Sequence, residues 1–391
     1  MSRIFTSVVF LALAVPLAWL EWRYGLSYVA RVYIKQESDA SDIHWKPRIE
    51  LQQSSNKRQL ETQLDTARVA AAFNTHTEVS DLSDFMQATE ATSLIVLQHG
   101  RLIYEEHFNE HLPGEAVATF SVSKSLFSML LGRSAVDHLS GFMDASLEQY
   151  VPELLSKDPR FSAITHQHLI NMRSGIAFDS DVSFPFFNED EPLIYYADDL
   201  VKTLLAHPEI ENEPGQFLYN DYNPNLLALA FARASGRSLP ELLQSELWEP
   251  LGANFDAMWM TDYHGFPLIE SGFAAAPVDL ALVGQTMLDI GAGRSLFLPK
   301  AWHREITTVG EESPVYAVGE PVWHYRNGWW VMPRGTGAAD YSAIGHLGQY
   351  VYVSPQNDLV IVRTGYGRAE WDDIDFIKLF YTTATELGNS L

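Results

Sequence analysis

The sequence predicts an α/β (α+β) fold, in which an antiparallel sheet is flanked by helices and carries an inserted all-helical lobe at about residues 125–290. Two β-rich runs surround a glycine turn at residues 93–108, helix-like segments broken by proline and glycine fill residues 121–290, and the last third returns to strands. Strands at both ends with helices between them imply that the two ends pair in one sheet. The cleft between the sheet and the lobe is the expected site.

The N-terminal run at residues 4–20 contains no charged side chain. A helix over it would be about 25 Å long, the low end for crossing a bilayer. A membrane anchor and a cleaved signal peptide with Ala12-Leu13-Ala14 as its cleavage site both fit. Cleavage after Ala14 would leave a second apolar run on the mature end, so the anchor is favoured. Either interpretation predicts a periplasmic or otherwise extracytoplasmic protein, with residues 1–35 as the anchor or signal segment. The anchor would hold it at the inner membrane through residues 4–20, whereas signal cleavage would make it a secreted protein.

The remaining elements follow from composition and periodicity. Residues 36–63 are polar with mixed charges and are predicted to be a stalk, while residues 64–390 are predicted to form the folded domain. Hydrophobic periodicity and turn residues mark the elements of that domain. They are a lead-in helix at 64–73, the hairpin at 93–108, a long helix from Ser121, strands at 328–332, 349–353 and 359–364, and a closing helix at 374–387.

Composition excludes several classes of function. The 391 residues contain 26 Lys+Arg and 50 Asp+Glu, a formal net charge of −24, and 47% are hydrophobic. This is an ordinary globular composition, and a chain so acidic is not expected to bind nucleic acid, which requires cationic side chains. Cysteine is absent, which excludes disulfides, thiolate metal sites and a cysteine nucleophile.

Ser121 and Lys124 form the strongest candidate for nucleophilic catalysis. Spaced at i and i+3 on a predicted helix, they share one face, so the amine can accept or stabilise the proton of the hydroxyl. The helix N-terminus also directs unpaired N–H groups at a developing oxyanion. Ser-x-x-Lys alone is a weak signal, because Ser54 and Lys57 in the predicted stalk repeat it. An ordinary N-cap serine beside a solvated lysine remains the alternative.

Two further sequences carry candidate groups. Tyr219 and Asp221 lie on a loop before an apolar helix, where a tyrosine near cations can have a lowered pKa and shuttle a proton. His346 and Gly348 lie at a strand start, where glycine lets a substrate approach, and the Gln349 N–H could be a second oxyanion donor. Each alone could also be structural: a core tyrosine with a paired hydroxyl, or a lone histidine.

Together these three sequences resemble the serine β-lactamase and penicillin-recognising superfamily, most closely the class C β-lactamase-related esterases and 6-aminohexanoate-dimer hydrolases. The family's Ser-x-x-Lys matches Ser121–Lys124, its Tyr-x-Asn matches Tyr219–Asp221 with Asp for Asn, and its Lys-Thr-Gly matches His346–Gly348. The resemblance covers about residues 64–390 in the family's order and implies a β-lactamase/transpeptidase-like fold.

The resemblance implies a serine hydrolase that cleaves an ester or amide through an acyl-enzyme on Ser121. Tyr219, aided by Lys124 and oriented by His346, would accept the serine proton, and the Ser121 and Gln349 amides would bind the oxyanion. The substrate would be a small ester, amide or short peptide, and no cofactor or metal is expected. A β-lactamase or D-amino-acid peptidase acting on cell-wall peptides, and a membrane-tethered binding or sensor protein without turnover, are the alternatives.

Two departures from the family pattern weigh against efficient β-lactamase activity. An ionised Asp221 cannot donate a hydrogen bond to a substrate amide, and its charge favours a protonated Lys124. His346 replaces a lysine whose fixed positive charge would attract the carboxylate of a β-lactam.

Overall fold

The computed structural model describes residues 20–21, 25–76, 78–137, 139, 141–179, 189–309, 314–315, 321–335 and 338–389. The apolar run at 4–20, predicted to be an anchor or signal segment, lies outside the described residues except for Leu20. Among the helices in the described ranges, none is both long and apolar enough to span a bilayer.

An eight-stranded sheet, in the order β2-β4-β3-β12-β11-β10-β9-β8, organises the described part of the chain. At its centre β3 and β12 pair antiparallel, with Ile95 opposite Val362. The two ends of the domain therefore meet in one sheet, which confirms the predicted fold class. The strands in the described ranges are β1 Arg48–Leu51, β2 Glu61–Thr62, β3 Ala91–Gln98, β4 Arg101–His107, β5 Val117–Ala118, β6 Ala257–Met260, β7 Phe273–Ala275, β8 His324–Arg326, β9 Trp329–Met332, β10 Asp340–Gly345, β11 Gln349–Ser354 and β12 Leu359–Gly365.

Helices cover both faces of this sheet. The α-helices are α1 Leu26–Lys35, α2 Thr66–Phe73, α3 Leu82–Ala88, α4 Val122–Asp137, α5 His166–Ile170, α6 Asp190–Tyr195, α7 Leu200–Ala206, α8 Tyr222–Ser235, α9 Leu239–Leu242, α10 Glu249–Leu251, α11 Pro277–Gly291, α12 Lys300–Thr307 and α13 Asp373–Asn389. Short 3-10 segments lie at Ala40–His44, Leu147–Gln149, Pro152–Ser156, Pro159–Ala163 and Pro355–Asn357, and a π-helical segment lies at Leu243–Trp248.

The central strands are apolar on both sides because both sides are buried. Side chains alternate along a strand, so Ile95 and Leu97 join the core that contains α4 and α11, whereas Leu94 and Val96 join the core that contains α2 and α13. Gly284 lets α11 approach closely, because a Cβ there would lie 2.5 Å from a Val360 methyl group.

The predicted lobe is not entirely helical. Residues 122–251 are predominantly helical, but β6 and β7 also fall within 125–290 and form a smaller sheet in the order β1-β6-β7-β5. Strands of three or four residues are too short for periodicity to separate them from helix. The smaller sheet carries the turn that leads into α4, so it positions Ser121.

Residues 36–63 differ from the predicted polar stalk. Strand β1 pairs with β6, Leu51 is fully buried, and the Ser54 N–H donates to Ala253 O at 2.9 Å. Main-chain hydrogen bonds to a sheet edge need no apolar side chains, so a polar composition did not reveal this docking. The segment is an integral part of the folded domain and contributes residues to the wall of the site.

Candidate active site

Ser121 lies on a tight turn between β5 and α4. Phe120, immediately before it, has φ 48°, in the left-handed region that a bulky residue rarely adopts. The turn is fixed to β7: the Thr119 N–H donates to Phe273 O at 2.9 Å, and the Ser123 hydroxyl donates to Phe120 O and accepts from the Phe273 N–H. Ser123 and Thr119 were not predicted as site residues, although both lie within or beside the motif. They hold the Ser121 side chain at the cavity.

Lys124 occupies the next helical turn and joins three groups. Its Nζ donates to Ser121 Oγ at 2.9 Å and to Glu270 O at 2.8 Å, and it forms an ion pair with Asp221 Oδ1 at 2.9 Å. The residue is 4% exposed. The predicted pairing of Ser121 with Lys124 and the proximity of Asp221 are therefore both present in the structure.

Tyr219 completes this cluster from the loop before α8. Its hydroxyl is hydrogen-bonded to Ser121 and Lys124, and Lys124 Nζ lies 4.8 Å from its ring centroid. The ring stacks on Trp330, with centroids 5.7 Å apart. Asn220 fixes the loop by donating to Ile176 O at 2.9 Å and by accepting from the Tyr222 N–H. Tyr219, distant in sequence, thus converges with Ser121 and Lys124 at one point.

The charges of the cluster set its resting protonation. Burial lowers the pKa of Lys124, but the Asp221 carboxylate and the Tyr219 hydroxyl outweigh it, so the pKa is raised and the amine holds its proton. Burial raises the pKa of Tyr219 more than the Lys124 charge lowers it. The expected effect of Asp221 on Lys124 is present, whereas a lowered pKa for Tyr219 is not, because burial outweighs the neighbouring cation.

His346 lines the cavity beside Ser121. Its ring packs edge-on against Phe120 at 5.4 Å, and its Nε2 lies 3.7 Å from Glu37 Oε1. Burial, more than the opposing Glu37 charge, lowers the pKa of His346, so the ring is neutral at neutral pH. Ser121 and Lys124 are the hydrogen-bonding groups that act on the pKa of Tyr219, and the orienting role of His346 on Tyr219 stays a prediction.

Gly348 and Gln349 lie away from the cavity. Gly348 has φ 81° in the β10–β11 turn, and its carbonyl accepts from the buried Arg363 at 2.6 Å. The Gln349 side chain is fully buried and exchanges hydrogen bonds with Gly365. The glycine that permits close approach is Gly345, where a Cβ would lie 2.1 Å from Thr119 O. His346 therefore lies at the cavity, but the glycine of its motif does not face the Ser121 turn. The residue that faces this turn is Gly345, at the end of β10.

Two acidic residues that were not predicted line the same cavity. Glu270, on the connection between β6 and β7, is 1% exposed, and Glu191 lies at the start of α6. Burial, followed by the Asp221 charge, raises the pKa of Glu191 to about 7. No sequence motif marks either residue, since one lies in a helix and the other in a connection, and only the tertiary fold brings them to Ser121.

The cavity holds about 100 Å³ and is lined by Ser38, Phe120, Ser121, Glu191, Ile194, Tyr195, Asp221, Glu270, Ser271 and His346. A second cavity of about 480 Å³ shares Ser38, Glu191 and Tyr195 with it. A half-buried hydroxyl beside a protonated amine and a phenol, opening on a small cavity, is suited to attack on a carbonyl carbon.

Comparison with known proteins identifies a family and relatives that this chain resembles. A family model described as Beta-lactamase matches residues 67–365. A 6-aminohexanoate-dimer hydrolase of Paenarthrobacter ureafaciens is 26% identical over 318 residues, covering 76% of this chain and 77% of the relative.

Solved structures share the fold. A Bacillus anthracis protein provisionally assigned as a 6-aminohexanoate-dimer hydrolase superposes with a TM-score of 0.76 at 20% identity, covering 90% of this chain and 93% of that protein. A penicillin-binding protein homologue from Caulobacter crescentus superposes with a TM-score of 0.59 at 15% identity, covering 82% of this chain and 97% of the homologue. The family model spans most of the folded domain, and the chain belongs to the beta-lactamase family.

Proposed function

We propose that this protein is a serine hydrolase that cleaves an ester or amide bond through an acyl-enzyme on Ser121. The observation that carries the proposal is the contact between Ser121 Oγ and Lys124 Nζ at 2.9 Å, with the Tyr219 hydroxyl hydrogen-bonded to both. Membership of a family of hydrolases supports the same reaction class.

The protonation states favour Tyr219 as a proton relay. Lys124 is cationic at rest and Tyr219 is a neutral phenol. As Ser121 Oγ bonds to the carbonyl carbon, its proton passes to the Tyr219 oxygen, and the Tyr219 proton passes to the leaving group. The Lys124 ammonium stabilises the negative charge that develops on both oxygens. Water then attacks the acyl-serine through the same relay in reverse, which releases the acid and restores the serine.

The oxyanion would be bound by main-chain N–H groups. One is that of Ser121 at the entrance to α4, where the helix dipole adds to the attraction. Strand β10 pairs with β9 only from Asp340 to Ser342, so residues 343–345 leave an unpaired edge beside the Ser121 turn. This edge, rather than Gln349, is the better-placed source of the second donor.

A fluorophosphonate probe tests the nucleophile. We expect it to label the wild-type chain and not Ser121→Ala, because only a hydroxyl held in this relay attacks phosphorus rapidly. Ser54→Ala is the matched control, since Ser54 belongs to the second Ser-x-x-Lys sequence and should leave labelling unchanged. Labelling that persists in Ser121→Ala would refute the proposal.

A further inference from the structure

We propose that the cavity beside Ser121 receives an ammonium group of the substrate, so that the protein acts on esters or amides with an ammonium next to the scissile carbonyl, such as aminoacyl derivatives with a free amino group. This inference rests on the proposed function, because it names the substrate class of the same site.

Glu270 is the residue that points to a cation. Its carboxylate is buried and lines the cavity; Oε1 accepts from the Ser271 hydroxyl at 3.0 Å and the Asn225 side chain also stabilises the charged carboxylate, whereas no donor among the described residues meets Oε2 with hydrogen-bond geometry. A buried carboxylate oxygen without a donor is unfavourable until a charged or hydrogen-bonding group completes it. The N–H groups of a substrate ammonium would supply that donor.

The backbone around Glu270 is held firmly. Its carbonyl accepts from Lys124 Nζ at 2.8 Å, the Ile269 N–H before it donates to Asn225 Oδ1 at 3.0 Å, and the Gly272 N–H after it donates to Leu268 O at 2.7 Å. The carboxylate therefore keeps a fixed position relative to Ser121, as a specificity-determining group requires.

Other acids reinforce the negative charge of the cavity. Glu191 and Asp221 line it, and Glu37 Oε1 lies 3.7 Å from Nε2 of His346, which also lines it. His346 is neutral at neutral pH and adds no positive charge there. A substrate cation would meet several carboxylates within one small, partly dehydrated volume, where electrostatic attraction is stronger than in water.

The positive charges of two lysines oppose the negative charge of the cavity, but neither lysine is paired with the Glu270 carboxylate. Lys124 is occupied by Ser121, Asp221 and the Glu270 carbonyl. Lys46 forms no ion pair with Glu270 within 4 Å in the described part of the chain. Its Nζ instead donates a hydrogen bond to Tyr195 O and lies 3.6 Å from the Tyr195 ring centroid. Burial lowers the pKa of Lys46 to about 7, so its opposing charge weakens above neutrality.

The acids also give the subsite a pH dependence. Burial, followed by the Asp221 charge, raises the pKa of both Glu270 and Glu191, the latter to about 7. Glu191, with its pKa raised to about 7, becomes increasingly ionised as the pH rises from 6 to 8, so ammonium binding should strengthen over that interval.

The larger cavity fits the uncharged part of such a substrate. It is lined by Val32 and Tyr33 of α1, by Pro192 of α6 and by Tyr196 just after α6, with Glu37 at one side, and it shares Glu191 with the acidic cavity. A small cationic group beside the nucleophile and an apolar group beyond it therefore describe the substrate. A carboxylate in the first position would face Glu270 and Glu191 and be repelled.

Protection of Ser121 from a fluorophosphonate tests the subsite without requiring a known substrate. The full-length protein is labelled with isopropylammonium, 2-propanol or isobutyrate present at matched ionic strength. We expect isopropylammonium to slow labelling with an apparent affinity at least about tenfold higher than that of 2-propanol, as for a charge-assisted hydrogen bond, and isobutyrate to have the weakest effect. The advantage of the ammonium should grow from pH 6 to pH 8.

Glu270→Gln should remove most of that preference, because the uncharged amide keeps the shape and loses the charge. Glu246→Gln is the matched control, since Glu246 pairs with Arg237 outside the cavity. If Glu270→Gln does not fold, the loss of the ammonium preference in Glu191→Gln and its pH dependence in the wild-type protein test the subsite instead. Equal protection by ammonium and alcohol, or a preference that is flat with pH, overturns the subsite while labelling of Ser121 still supports the hydrolase; absence of labelling overturns the hydrolase itself.

Discussion

The two Ser-x-x-Lys sequences of this chain have the same spacing and opposite surroundings. Ser121 and Lys124 lie at the entrance of a helix, with the amine buried and bonded to three groups. Ser54 lies outside helix and strand, its hydroxyl accepts from the Asn56 N–H at 3.0 Å, and Lys57 is exposed. Spacing brings two side chains together only on a helix, and only burial with an acidic partner fixes the charge of the amine.

The largest expected difference between the two sequences concerns their lysines. Lys124→Met should reduce kcat/KM for a short-chain ester about 10³-fold or more, because the relay loses the cation that stabilises its oxygens. Lys57→Met should change kcat/KM less than twofold, since this lysine is exposed. Steady-state kinetics with both purified variants measure this, and equal losses would show that the contrast is not functional.

The second-largest expected effect concerns Tyr219. The Ser54–Lys57 sequence has no corresponding tyrosine partner. Tyr219→Phe removes the hydroxyl but keeps the ring on Trp330 at 5.7 Å. We expect kcat to fall about 10²–10⁴-fold with a thermal midpoint close to wild type, as for loss of a general acid–base group. Tyr263→Phe, at an exposed tyrosine, is the control. Wild-type kcat in Tyr219→Phe would leave Lys124 as the sole candidate base.

A stability measurement tests whether the segment carrying the second sequence is integral to the domain. Leu51 is 1% exposed, so Leu51→Ala should lower the free energy of unfolding by about 2–5 kcal/mol in urea denaturation. Exposed Gln53→Ala should change it by less than about 0.5 kcal/mol. A stalk would show no difference between the two variants.

The smallest expected effect is a shift in pH dependence. Asp221→Asn removes the charge that contributes most to raising the pKa of Lys124, so this pKa should fall. A lysine with a lower pKa loses its proton earlier as the pH rises, so the alkaline decline of kcat/KM should begin at lower pH than in wild type. Profiles from pH 6 to 11 measure this, and an unchanged alkaline limb would remove Asp221 from control of the lysine.

Much of this arrangement was predictable because it is local. The central strands, the closing helix and the helix that carries Lys124 follow from runs of apolar residues and their breaks, and Ser121 with Lys124 follows from helical spacing. Docking of residues 36–63 was not predictable, because it uses main-chain hydrogen bonds to β6. The offset of the His346 motif arose because the hairpin turn, and not the strand, carries its glycine.

The sequence by itself determined the fold class and the pairing of Ser121 with Lys124, because both are encoded in spacing along a strand or a helix, and the order of its motifs along the chain pointed to Tyr219. Only the tertiary structure decided the electrostatics of the cavity. Glu191 and Glu270 reach it from a helix and a connection remote in the chain, and burial there outweighs neighbouring charge at Tyr219 but not at Lys124. Burial and charge depend on distances through space, which the order of residues does not contain.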